Sequence, residues 1–335
     1  MSRMLRRLGE GVSPRAMIAL GLVLAALIVA PLVSNGYVLS VLIIALYYAY
    51  AGQAWNVMMG FAGQLSLGHS LYVGVAAYTA AILFVRWNVP PIIGMFAAIV
   101  IAMAFGAVIG FLAFRFSVSG VYFSLLTIAF AEFTRIGFDH FTWAGGSGGF
   151  FLKVEGRTAD LITLRGPPIM FYYVMLALTA LAFVFCRMLT QSRVGYYWFA
   201  IREDQEAAQA LGINVFRYKM LAVIVSSGMT ALAGVFFAFY YNNLFPEQIF
   251  SMARSIELIL GPIIGGLGTL FGPILGAFVL TLLADLVTEV LVLTGYDIPG
   301  VKQVFYGLCL AVVVIWLPLG IWPPLKRRLG LEGRS

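Results

Sequence analysis

Charge is the scarcest property of this sequence. Of its 335 residues, 21 are Lys or Arg and 14 are Asp or Glu, 10% together, while 62% are hydrophobic. Soluble globular chains average about 25% charged residues, and so few cannot cover a water-facing surface on a chain this long. The composition implies an integral membrane protein and excludes a disordered chain or a secreted disulfide scaffold. Cysteine is nearly absent as well. Cys186 and Cys309 lie far apart inside apolar runs and read as small buried hydrophobes. With only two histidines beside them, His69 and His140, no recognisable metal constellation exists. No Gly-Lys dipeptide occurs, so there is no P-loop. Ser66 and His69 lack the elbow context of a hydrolase nucleophile. No catalytic residue, metal site or cofactor is expected, and the chain is not read as an enzyme.

What is abundant is apolar length. A membrane helix needs about 20 apolar residues, and candidate spans are Ala16–Val33, Tyr37–Met59, Ser70–Val85, Pro91–Phe114, Val118–Phe138, Pro168–Leu189, Tyr218–Tyr241, Phe271–Leu293 and Val301–Leu317. A short piece, Met252–Ile264, adds a crossing or half-crossing. The expected fold is all-α, a polytopic bundle of about ten membrane segments (eight to ten) with two Gly/Pro-interrupted spans. The first span follows the basic stretch Met1–Arg15. It lacks a clear Ala-x-Ala cleavage site and runs straight into more apolar sequence, so it reads as a retained helix. Residues 1–15 are then a cytoplasmic segment, 16–318 the transmembrane domain and 319–335 a cytoplasmic tail.

The net charge of +7 raises nucleic acid as a partner, but its placement says otherwise. With ten crossings and the N-terminus inside, 14 basic residues fall on the inner side and 7 on the outer. That asymmetry orients a membrane protein and places both termini in the cytoplasm. Two connections are long enough to have a role: the external loop 139–167, rich in glycine, and the polar cytoplasmic loop 190–217.

Two glycine clusters interrupt the apolar pattern. The first contains Gly60, Gly63, Gln64, Ser66, Gly68 and His69; the second contains Gly265, Gly266, Gly268 and Thr269, with Pro262 and Pro273 around it. Paired interruptions in the two halves of a membrane chain point to a translocation pathway, and non-helical backbone at membrane depth needs protein or a watery cavity to satisfy it. These residues are therefore the candidate pathway. The plain alternative is that the glycines only let helices pack closely. Six ionisable residues fall within spans. Glu132 and Arg135 are spaced to pair on one helix face, Arg254 and Glu257 begin the short piece, and Asp285 and Glu289 lie one turn apart. All six are placed toward the outer end, which leaves no acidic coupling site near the midplane and weakens an ion-coupled secondary carrier.

In the cytoplasmic loop, Glu203, Asp204 and Glu206 precede Ala207, Ala208 and Leu211, and Gly212 follows. Acidic residues favour a helix start, and glycine favours its end. The spacing predicts a two-turn helix with a small apolar face suited to a groove in a partner. The run Glu206-Ala207-Ala208-x-x-x-Gly212 resembles the EAA motif of ABC importer permeases, whose coupling helix docks on the ATPase. The run Arg202–Lys219 resembles the branched-chain amino-acid (LivM-type) branch of that family. So do the first cluster with Gly74, Ala77 and Tyr78, the stretch from Tyr122 through Glu132 to Gly145-Gly146-Ser147, and the second cluster with Gly276-Ala277. The resemblance covers residues 37 to 318.

It implies the permease subunit of an ATP-driven importer in a bacterial inner membrane. Its implied partners are a second related permease subunit, two cytoplasmic ATPase subunits and an external substrate-binding protein, besides membrane lipid. Urea and short-amide permeases share much of the pattern. A permease for those solutes and a self-sufficient ion-coupled carrier are the alternative functions; a structural subunit without a pathway is the remaining one.

Overall fold

The structure is a computed structural model that describes residues 25–152, 160, 162–293 and 300–329. The segment 1–15, the first half of the first span, part of the external loop and the last residues of the tail lie outside the described residues. Residues 25–33 are helical. The helices that follow are α1 (Gly36–Asn56), α2 (Ser70–Trp87), α3 (Pro91–Arg115), α4 (Val121–His140), α5 (Pro168–Thr190), α6 (Arg193–Glu203), α7 (Gln205–Ala210), α8 (Val215–Tyr241), α9 (Pro246–Ile249), α10 (Met252–Gly265), α11 (Gly272–Leu293), α12 (Val301–Trp316) and α13 (Trp322–Arg328). The only sheet among the described residues is the pair β1 (Phe150–Phe151) and β2 (Asn243–Leu244), antiparallel. The molecule is an all-α polytopic bundle.

The ends are set by side chains the sequence supplies. Asn35, Asn214 and Ser251 accept from the free N–H groups of α1, α8 and α10, the usual service of a cap. Pro91 and Pro168 open α3 and α5, where a missing N–H costs nothing. Asn88 and Asn242 close α2 and α8 in the left-handed conformation.

Two helices form the centre. The stretch from Gly36 to Phe61 runs 26 residues, ending in a π-helical turn at Val57–Phe61, and it packs against α5, α8, α10 and α11. Helix α8 packs against α1, α2 and α3. Both are 72% buried, whereas only 28% of α3, α4 and α11 is buried, as expected of helices facing lipid.

Among the described residues, seven helices are long and apolar enough to cross a membrane. The sequence suggests about ten segments, and the difference has identifiable sources. The first span is described only from residue 25 onward. Helices α10 and α12, with 14 and 16 residues, are about 21 and 24 Å long, short of a core of about 30 Å. Helix α10 starts inside the bundle. The Phe250 carbonyl accepts from Ser70 Oγ at 3.0 Å, and Ser255 Oγ accepts from the Ser70 N–H at 2.9 Å, so the chain has already descended beside α2 before α10 begins.

Candidate functional site: two chain breaks and a surface helix

The first interruption folds back along the helix it follows. After the π-turn, residues 62–69 run beside the end of α1, where Trp55 Nε1 donates to the Ser66 carbonyl at 2.8 Å. Helix α4 holds the same segment from another side. Thr127 Oγ1 accepts from the N–H groups of Leu67 and Gly68 at 3.1 and 3.3 Å, and Ser124 Oγ donates to the Leu65 carbonyl at 2.9 Å. Gly68 is required there, because a Cβ would stand 2.0 Å from the Thr127 carbonyl oxygen.

Ser66 and His69 are fully buried. Ser226 Oγ donates to the Ala54 carbonyl at 2.7 Å, so it receives the His69 Nε2–H at 3.1 Å, which leaves His69 Nδ1 as acceptor of the Ser66 hydroxyl at 3.2 Å. The imidazole links the break to α8 and, through Ser226, to α1. Gln64 is buried, and its amide donates to the Ala62 carbonyl at 2.9 Å. Non-helical backbone thus lies inside the bundle, with the Leu67 and Gly68 N–H groups and the side chains of Ser66 and His69 bonded to protein.

The second interruption is a tight hairpin. A Cβ on Gly265 would stand 1.7 Å from the Gly272 carbonyl oxygen, and one on Gly276 1.9 Å from that of Gly261, so α10 and α11 touch through backbone. Gly266 and Gly268 have positive φ. Thr269 Oγ1 donates to the Gly266 carbonyl and accepts from the Gly272 N–H, at 2.8 and 2.9 Å. The Ile321 N–H closes the end of α10 on the Ile264 carbonyl at 2.9 Å.

The two breaks meet. Asn56, buried in α1, accepts from the Gly268 N–H through Oδ1 and donates to the Thr269 carbonyl through Nδ2, both at 2.9 Å. Gly60 makes the approach possible: a Cβ there would stand 1.9 Å from Asn56 Oδ1 and 2.7 Å from the Gly268 nitrogen. Of the candidate pathway residues, Gly60, Gly268 and Thr269 share this junction. Ser66, Gly68 and His69 sit apart from it, against α4 and α8.

Arg202, the penultimate residue of α6, closes the junction from the end of the bundle. Its Nη1 donates to the Gly60 carbonyl at 2.6 Å, an acceptor left unpaired at a helix C-terminus. Its stem packs on Gly63 and its Nη1 on Gly268. Nε and Nη2 both donate to Glu203 Oε1, at 3.1 and 2.6 Å, and the guanidinium lies 5.3 Å from the Phe199 ring centre.

Directly after it comes α7. Asp204 caps this helix, accepting from the Glu206 and Ala207 N–H groups at 2.9 and 3.0 Å. At the other end, the Gly212 N–H donates to the Gln209 carbonyl and the Ile213 N–H to the Ala208 carbonyl, a complete Schellman motif with Gly212 at φ +84°. The predicted two-turn helix is present over Gln205–Ala210, shorter than the stretch 203–212. Its predicted apolar face is split. Ala208 is buried against the bundle, whereas Glu203, Asp204, Glu206, Ala207 and Leu211 face outward, and Leu211 is 82% exposed. A cavity of about 210 Å³ beside α7 is lined by Gln205, Gln209, Ser117, Ser119 and Lys219; Lys219 Nζ donates to Gln205 Oε1.

The expected pair of Glu132 and Arg135 is present at 2.5 Å. It is extended by Asp139, 2.6 Å from Arg135 Nη1. Arg254 and Glu257 pair at 3.0 Å, and both meet the hydroxyl of Tyr48. Tyr48 stands midway along the 26-residue α1 stretch, so this pair meets the middle of that helix. Sequence reasoning also missed Asn56, Thr127, Ser226 and the role of Arg202. The first three carry a readable signal, a polar side chain in an otherwise apolar span. Arg202 carries none, since a basic residue in a polar loop is ordinary.

Residues 37–315 match the family model described as the branched-chain amino acid transport system permease component. The high-affinity branched-chain amino acid transport system permease protein LivM of Escherichia coli K12 is 28% identical over 90% of this chain and 73% of its own length. The protein of the same name from Salmonella typhimurium LT2 is 27% identical with the same coverage. The autoinducer 2 import system permease protein LsrC of Yersinia enterocolitica is 33% identical over 38% of this chain and 37% of its own. No solved structure matches. A bundle of apolar helices with two glycine breaks, matched along nearly its whole length, belongs to the family of branched-chain amino acid transport system permease components.

Proposed function

We propose that the chain is the transmembrane permease subunit of an ATP-driven importer in a bacterial inner membrane. It would translocate branched-chain or related amino acids delivered by an external binding protein. The observation that carries this reading is the family match over residues 37–315, and the outward-facing, capped α7 supports it. In this reading α7, with Glu203, Asp204, Glu206, Ala207, Leu211 and Gly212 around it, is the coupling helix that enters a groove of a cytoplasmic ATPase subunit. Both termini are then cytoplasmic, and the end of the bundle bearing α6 and α7 is the inner one. The described part of the external loop receives the binding protein at the other end. A second, related permease subunit completes the pathway, and two ATPase subunits drive it.

Closure of the ATPases on ATP would displace α7 and shift the bundle between outward- and inward-open states. Gln64, Ser66, Thr269 and the glycine backbone near them line the path, where groups already bonded to protein offer a solute only weak contacts. A path that must release its cargo is served by such contacts.

The test is reconstitution of the chain with its second permease, the ATPases and the binding protein in proteoliposomes. Uptake of leucine, isoleucine or valine that requires both ATP and the loaded binding protein is the expected result. Uptake by this chain alone on an ion gradient would overturn it. Within that system, Gln64→Leu is expected to impair uptake without loss of assembly.

A further inference from the structure

We propose that Arg202 is the positioning residue through which α7 moves both chain breaks, so that the two open and close as one unit. This rests on the reading of α7 as the coupling helix. Arg202 lies in the last turn of α6, with only Glu203 between it and Asp204, the cap of α7. Displacement of α7 therefore reaches Arg202 across a single residue. On the other side, Arg202 reaches both breaks directly: a 2.6 Å hydrogen bond to the Gly60 carbonyl and contact with Gly63 and Gly268. Asn56 ties the second break to the helix that carries the first. A pull on Arg202 acts on the π-turn of α1 and on the α10–α11 hairpin together.

The rest of its surroundings keep the guanidinium aimed. Glu203 Oε1 takes two of its N–H groups, and Phe199 lies under its plane while packing edge-on against Phe61 of the π-turn, 5.7 Å between ring centres. Trp198 fixes α6 to α8, with Nε1 donating to the Tyr218 carbonyl at 2.8 Å. A planar fork is suited to this: one edge bonds the neighbouring carboxylate, another the helix-end carbonyl, and the flat face rests on an aromatic ring. The π-turn is a natural place for the motion, because such turns interrupt the regular helix ladder.

The experiment uses the reconstituted transporter and compares uptake with ATP hydrolysis in Arg202→Met, which keeps the aliphatic stem on Gly63 and removes the guanidinium. Arg202→Met is expected to retain the ATPase subunits on purification and to hydrolyse ATP, while uptake per ATP falls about tenfold, the scale of one charge-assisted hydrogen bond lost to a buried carbonyl. Arg202→Lys, which can still reach Gly60, is expected to recover part of that ratio. Unchanged uptake per ATP in Arg202→Met would overturn the proposal.

A second measurement needs no variant. Hydrogen exchange on the wild-type transporter, with and without trapped ATP, is expected to change in 57–69 and 264–270 together with 204–213. Change in α7 with both breaks unaffected would overturn the proposal as well. Failure of the ATPases to bind the wild-type chain is a different result, and it would remove the coupling-helix reading instead.

Discussion

Replacement of Asn56 by Leu tests how the two breaks are joined. The side chains are similar in size, so the buried site stays filled while the amide is lost. The Gly268 N–H and the Thr269 carbonyl each lose a 2.9 Å partner. A buried polar group left unpaired costs about 1–3 kcal/mol. Gly268 and Thr269 are half-buried, so the low end of that range applies, giving about 2–3 kcal/mol for the two groups. That weakens the docking of the 266–272 turn about 30- to 150-fold.

Hydrogen exchange by mass spectrometry measures it. The informative amides are Thr269 and Gly272, which keep their own acceptors, the Gly266 carbonyl and Thr269 Oγ1. They exchange faster only if the whole turn opens more often. If Thr269 and Gly272 exchange within about twofold of wild type in Asn56→Leu, the turn is held by the α10–α11 packing alone and the junction argument fails.

Gly276→Ala is expected to abolish stable assembly, since its Cβ would stand 1.9 Å from a backbone oxygen. Gly137→Ala, with open space at its Cβ, should leave the yield of purified protein unchanged. Gly212→Ala places a side chain at φ +84°, which costs roughly 1–2 kcal/mol. Co-purification of ATPase subunits should drop while the bundle's own thermal stability holds. Asp204→Ala removes two capping bonds worth about 0.5–2 kcal/mol to α7, and should lower ATPase binding in the same assay. Ser226→Ala breaks the relay between Ala54 and His69. It is expected to lower the melting temperature in detergent without altering ATPase co-purification.

Much of the fold is legible in the chain itself. Apolar length placed the helices, because only a helix satisfies its own backbone in lipid, and Pro91 and Pro168 marked where two of them start. Helix α7 was legible for the same local reason: Asp204 at its start and Gly212 at its end act on neighbours a few residues away. The glycine clusters could be found by counting but not interpreted. A glycine that frees the backbone for a turn and one that lets two backbones touch look alike in sequence. Gly68 at Thr127 and Gly60 at Gly268 are told apart only by what stands opposite them.

The contact of Glu257 with Tyr48, midway along α1, was not legible because the sequence gives α10 a length but not a starting height. That height is set by the descent of 245–251 beside α2. The meeting of Asn56 with Gly268 and the reach of Arg202 to Gly60 join residues far apart in the chain. The sequence by itself determined that this is a helical membrane protein with two broken spans and a capped surface helix, since helix formation and capping are local. Only the tertiary structure decided that the three are one connected device, because that depends on which carbonyls the packing leaves unpaired and which side chains can reach them.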